Sequence, residues 1–177
     1  IIASQTGSGK TASMISIIKT LPPKTPTLVL ANRKGLVQQN YDLIKSWKVE
    51  NVGRLYGKFN EPNVITCATV QSLHKIEHLL PHIKCIMVDE VHEMCSKRIL
   101  KIYNKFKEAT VRVALSATWE KFGGKDLSQR LSVKGHFGPV FKIKSKLAEK
   151  GVIKTELLQE AGILSKANCT FFPVRTP

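Results

Sequence analysis

Short apolar runs that alternate with helical stretches predict an α/β fold, a mainly parallel sheet covered by helices on both faces in three layers. Two further observations point the same way. The chain opens on a strand-like run, Ile1 to Ala3, followed by a glycine-bearing loop and a helix that begins at Lys10-Thr11. A second apolar run, Ile83 to Val88, leads straight into the acidic pair Asp89-Glu90. In open α/β sheets ligands lie beyond the carboxyl ends of the strands. Both motifs fall at such ends, as does Ser116-Ala117-Thr118 after a third run, Val111 to Leu115.

The elements follow in order. Ile1 to Ala3 reads as the end of a buried strand. The first helix runs on from Lys10-Thr11 through Ala12 to Thr20 and is stopped by Leu21-Pro22-Pro23. Thr27 to Ala31 (TLVLA) is a buried strand, and Asn32-Arg33-Lys34-Gly35 a turn. Leu36 to Trp47 spaces Leu36, Val37, Leu43, Ile44 and Trp47 as a helix would. Val52 to Tyr56 and Val64 to Ala68 are strands, the latter followed by a helix from about Thr69 to Leu80 that Pro81 ends. Ser96 reads as the N-cap of a helix from Lys97 to Lys107. After Trp119 the glycines at 123, 124, 135 and 138 punctuate a lysine-rich stretch. An extended run, Val140 to Ile143, two helical pieces (Ser145 to Lys150 and Thr155 to Ala161) and a strand from Asn168 to Val174 complete the reading.

The opening loop carries chemistry. Gln5, Thr6, Gly7, Ser8, Gly9, Lys10 and Thr11 make a strand–glycine loop–helix phosphate cradle, a P-loop of the Walker A kind. Gly7 and Gly9 let successive N–H groups turn toward an anion, and the helix N-terminus adds partial positive charge. Lys10 reaches the β- and γ-phosphates of ATP, and the Thr11 hydroxyl ligates Mg²⁺. Ser4 stands where the strict pattern has glycine. Asp89 is assigned to the metal and Glu90 to polarising a water, because neighbouring residues at a strand end point apart. His92 is expected to link this site to Ser116 or its neighbours. A zinc-protease reading of Val91 to Ser96 fails for want of a second histidine, and His74, His78 and His82 lack an acid to complete a metal set.

Composition bounds the rest. A chain of 177 residues, 42% of them apolar, suits one domain of ordinary size with a real core. No apolar run approaches the ~20 residues of a membrane span. Cys67, Cys85, Cys95 and Cys169 have neither disulfide-framework nor zinc spacing, which places the protein in a reducing, cytoplasmic compartment. Twenty-eight basic against thirteen acidic residues give a net charge of +15, which calls for a polyanionic partner, nucleic acid first. The chain starts inside its first motif without Met, so sequence upstream of Ile1 is expected.

These residues resemble a family. SQTGSGKT, LVLANRKGLVQQ, ITCATVQSL, IMVDEVHEM and ALSAT are similar, in that order, to motifs I, Ia, Ib, II and III in the first lobe of superfamily-two DEAD/DEAH-type helicases. FGPVFKIKSKLAEKGVI and ELLQEAGIL resemble the segment after motif III in phage UvsW-type and XPB-type DNA helicases. The resemblance implies a RecA-like P-loop NTPase domain over residues 1–150, with 151–177 a linker and the start of a second RecA-like lobe. It implies an ATP-dependent DNA helicase or translocase, with an RNA helicase lobe or a non-catalytic nucleic-acid-binding module as alternatives. It implies backbone contacts from Arg33, Lys34, Thr69 and Ser72, and coupling of hydrolysis to strand binding through His92, Ser116, Ala117 and Thr118. The tail points to a bacterial or phage-infected host, and an oligomer is not expected. The box reads DEVH rather than DEAD or DEAH. The arginine finger of the family belongs to the second lobe, so this stretch alone is expected to hydrolyse ATP very slowly. A small-molecule P-loop kinase is the competing class, and it leaves Ser116 to Thr118 and the basic tail unexplained.

Overall fold

A computed structural model describes residues 1–3, 9–119 and 127–142. The strands are β1 (Ile2–Ala3), β2 (Thr27–Ala31), β3 (Val52–Tyr56), β4 (Phe59–Glu61), β5 (Ile65–Thr69), β6 (Cys85–Val88), β7 (Val111–Ser116) and β8 (Phe141–Lys142). Among the described residues they form one sheet in the order β4-β3-β5-β2-β6-β7-β1-β8. Every pairing is parallel except the β3–β4 hairpin.

The register brings the strand tips together. Ala3 pairs with Ser116, Val88 with Ala114, Leu30 with Val88, and Ala31 with Thr69. The residues that follow these strands therefore emerge side by side along one edge.

The two faces separate as period-2 alternation requires. Leu28 and Leu30 of β2 and Ile86 and Val88 of β6 join one core cluster, beneath α3 (Lys97–Tyr103) and α4 (Leu127–Phe137). Val29, Ala31, Cys85 and Met87 join the other, beneath α1 (Lys10–Thr20) and α2 (Lys34–Ser46). The expected three layers are there. Burial pushes the Cys67 thiol up to about 12 and the Cys85 thiol to about 11. Since the thiolate is the reactive form, both cysteines should resist iodoacetamide in the native protein and react on unfolding. Mass-spectrometric labelling with and without denaturant tests this, and rapid native labelling would contradict it.

Several boundaries differ from the sequence reading. Lys34 and Gly35 are not turn residues; they open α2, because Arg33 supplies the extended N-cap and its carbonyl accepts the Val37 N–H at 3.1 Å. The helix expected from Thr69 to Leu80 is a run of 3₁₀ turns, Val70–His82, interrupted where Ile76 takes φ −125°. Pro81 lies inside its last turn rather than beyond it, since short 3₁₀ turns tolerate one missing N–H. The helix expected to reach Lys107 stops at Tyr103. There the Arg112 guanidinium gathers the carbonyls of Tyr103, Phe106 and Ala109, and the chain bends so that Tyr103 and Phe106 both enter the core.

Two elements were not foreseen. The β3–β4 hairpin turns on Gly57 at φ 53°, with the Tyr56 and Phe59 rings 5.1 Å apart. Helix α4 anchors through Val133 and Phe137, and the Phe137 ring meets Tyr103 edge-on at 5.1 Å. The pieces read at 145–150, 155–161 and 168–174 lie outside the described residues.

Gly53 in β3 has no room for a side chain. A Cβ there would overlap the Glu61 carbonyl oxygen and come within 2.8 Å of the Asn63 nitrogen. Gly53→Ala is expected to cost about 3 kcal/mol, the upper part of the usual range for overpacking. A denaturant midpoint equal to wild type would contradict the close approach.

Candidate active site

Gly9 caps α1 in the left-handed region at φ 82°, with open space around it. The glycine is required by the backbone angle rather than by crowding. Lys10, first residue of the helix, is only 8% exposed. Its Nζ stands 3.7 Å from Glu90 Oε1. Thr11 follows, half-buried. Gln5, Thr6, Gly7 and Ser8 lie outside the described residues.

Asp89 leaves β6 with its N–H bonded to the Leu30 carbonyl at 2.8 Å, so its backbone continues the sheet ladder. The side chain is 6% exposed, and its Oδ2 accepts a hydrogen bond from Asn40 Nδ2 at 3.1 Å. Burial raises its pKa above the ordinary carboxylate value, and the Glu90 charge adds to the rise; Asn40 and Lys10 oppose it. A carboxyl whose folded pKa is raised lowers stability once pH climbs past its unfolded value, and the cost persists at neutral pH. Asp89→Asn is therefore expected to raise the melting temperature in EDTA at pH 7, and a lower one would contradict the burial argument.

Glu90 takes different partners. It occupies the left-handed region at φ 50°. One carboxylate oxygen faces Lys10, and the other accepts the Ala117 N–H at 3.3 Å and lies 3.2 Å from His92 Nδ1. The same Nδ1 is 3.2 Å from Ser116 Oγ, which also accepts the Thr118 N–H at 3.3 Å. His92 Nδ1 thus stands within hydrogen-bond distance of both Glu90 and Ser116. Lys10, Glu90, His92, Ser116, Ala117 and Thr118 form one polar chain across β1, β6 and β7.

Farther along the same edge, Arg33 is 71% exposed and pairs with Glu93 at 2.8 Å; Asn32 reaches the other Glu93 oxygen at 3.5 Å. Lys34 lies against the Gly57 turn, whose carbonyl accepts from Lys75 Nζ at 3.2 Å. Thr69 and Ser72 are buried, their hydroxyls 2.9 Å apart and bonded to each other. Sequence reasoning missed Asn40, Glu93 and Lys75. Asn40 alone left a trace, as a polar residue on the α2 face that buries Val37 and Ile44.

The arrangement can hold a polyphosphate and a divalent cation. Lys10 supplies the positive charge. Asp89 supplies a buried carboxylate one residue beyond a strand tip, beside the Lys10–Glu90 pair. Magnesium takes one or two protein carboxylates and fills its remaining positions with phosphate oxygens and water, so this sparse donor set fits it.

A family model described as Type III restriction enzyme, res subunit, matches residues 1–121. The chain belongs to that family. Its fold is that of a RecA-like lobe of superfamily-two helicases. It superposes on the UvsW helicase of bacteriophage T4 with a TM-score of 0.66 at 16% identity, over 81% of this chain and 54% of that one. A hypothetical ATP-dependent RNA helicase from Sulfolobus tokodaii gives 0.64 at 21% identity, over 81% and 47%. A DEAD box protein from the hyperthermophile Methanococcus jannaschii gives 0.61 at 23%, over 82% and 45%. This chain spans about half the length of those three. No curated protein matches it. Among the described residues no helix is long and apolar enough to cross a membrane.

Proposed function

We propose that this lobe binds ATP with magnesium at the strand tips and works, with a second RecA-like lobe, as the motor of a DNA helicase or translocase. The observation that carries the reading is the joining of Lys10 to Glu90 at 3.7 Å and of Glu90 through His92 to Ser116, across three strand ends. Thr11 and Asp89 would hold the cation, which when bound offsets charge on the phosphates. Lys10 would draw the phosphates in, and Glu90 would orient the attacking water; Gln5 to Gly9 are assigned to phosphate binding on their sequence. Movement of Glu90 is felt at His92, Ser116, Ala117 and Thr118, which couples turnover to the strand. Arg33 and Lys34 bring basic groups to the nucleic-acid backbone. Thr69 and Ser72, buried and bonded to each other, shape the turn that leads out of β5.

Nucleic acid suits the charge of +15. Affinity for a single strand should then fall with salt at about 0.7 log units per decade for each phosphate neutralised. A salt-independent affinity would rule out that electrostatic mode. The deciding experiment measures ATP hydrolysis by the full-length protein alone, with single-stranded DNA and with RNA. Stimulation by DNA is expected. Stronger stimulation by RNA would favour the RNA reading, which the described RNA helicase among the structural neighbours supports. Binding of DNA without any hydrolysis would leave a nucleic-acid-binding module. Phosphate transfer to a small acceptor would indicate a kinase. Because the arginine finger is assigned to the second lobe, the lobe alone should turn over about 10³–10⁵ times more slowly than the full-length protein.

A further inference from the structure

We infer that Asn40 is a positioning residue that aims the Asp89 carboxylate at the divalent cation, an inference that rests on the nucleotide reading above. Asn40 is 2% exposed and sits on α2 between the buried Val37 and Ile44, on the face packed against the sheet. An amide there carries a desolvation cost that an aliphatic side chain would not, unless it is hydrogen-bonded. Its bond goes to Asp89, forty-nine positions away in the chain. A carboxylate only accepts, so the amide nitrogen faces it. The Asp89 main chain is held by Leu30 and its Oδ2 by Asn40. A planar carboxylate fixed at its backbone and at one oxygen has the direction of its second oxygen set as well.

The choice of an amide has chemical sense. A lysine or arginine at position 40 would also orient Asp89, but its charge would compete with the cation for the same carboxylate. Asn40 donates without adding charge. The cationic partner on this edge, Lys10, is instead placed against Glu90.

The test uses the full-length protein and a fluorescent ATP analogue titrated in magnesium and, separately, in EDTA. Partners that orient a metal ligand typically contribute 10- to 100-fold to metal affinity. Asn40→Leu, which keeps the branched heavy-atom pattern but cannot donate, is expected to weaken binding in magnesium by about 10- to 100-fold and to leave binding in EDTA within about 3-fold of wild type. Asp89→Asn should show the same split. Asn40→Ser, which is too short to reach Asp89 but keeps a polar group, covers the case in which the leucine variant does not fold; thermal melts report folding for both. Equal losses in magnesium and EDTA would make Asn40 a packing residue and overturn the inference. So would unchanged magnesium dependence in the Asn40 variants while Asp89→Asn shows the split. If Asp89→Asn itself shows no split, or the wild-type protein binds no nucleotide, the nucleotide reading fails and the inference with it.

Discussion

Lys10→Ala in the full-length protein is expected to raise the dissociation constant for ATP at least about 100-fold. Two charge-assisted bonds to phosphate oxygens are lost, each about 1.5–3 kcal/mol, and each 1.4 kcal/mol is about tenfold in affinity. In the structure the Lys10 ammonium is nearly enclosed and faces Glu90. A phosphate group that enters must therefore draw the lysine away from that carboxylate. Alanine removes both partnerships together, and among the described residues no other lysine or arginine pairs with Glu90. Nucleic-acid affinity should stay within about 3-fold of wild type, because Arg33 and Lys34 stand beyond β2, separated from β1 by β6 and β7. Isothermal titration with ATP, and fluorescence anisotropy with a labelled single strand, separate the two effects. ATP affinity equal to wild type would remove Lys10 from the phosphate site.

Glu90→Gln carries the second large effect. A positioned carboxylate that polarises the attacking water contributes about 10²–10⁴ in rate, and turnover should fall by that factor. Glutamine keeps the shape, and its amide oxygen can still accept the Ala117 N–H that Glu90 accepts now. What it lacks is the charge that holds Lys10, so ATP should bind at least as tightly as in wild type. The pattern of slow turnover with retained or tighter binding distinguishes Glu90 from Lys10, whose loss acts on binding first. Turnover at the wild-type rate, measured by phosphate release under saturating ATP and DNA, would exclude Glu90 from the chemistry.

Much of this was legible in the sequence because the motif residues follow strands that are uninterrupted apolar runs. The β2 run, Thr27–Ala31, is buried at every residue, and so is β6. In a parallel sheet both faces are covered, so no polar alternation obscures such runs. Once the strands were placed, Asp89-Glu90 and Ser116 to Thr118 had to lie at their ends. The β3–β4 hairpin was less legible, since Phe59–Glu61 is three residues long and carries only one apolar side chain. Helix α4 was masked by Gly135 and by Leu127 and Leu131, which look like core residues but stand 63% and 58% exposed. The Asn40–Asp89 bond had no local signature at all, because it depends on α2 and β6 meeting across the sheet. Thr69 and Ser72 were readable by type, yet their mutual bond follows from the turn that β5 makes into the 3₁₀ segment.

The left-handed backbone at Glu90 has a consequence for anyone who would harden this protein against heat. That region is comfortable for glycine and, after it, asparagine, but either replacement would strand the nearly enclosed Lys10 without its carboxylate. Asp89 next to it is the softer position, since its enclosed charge lowers stability. Directed evolution without a turnover assay would thus trade away Asp89, and the hardened product would be a robust shell with no engine in it.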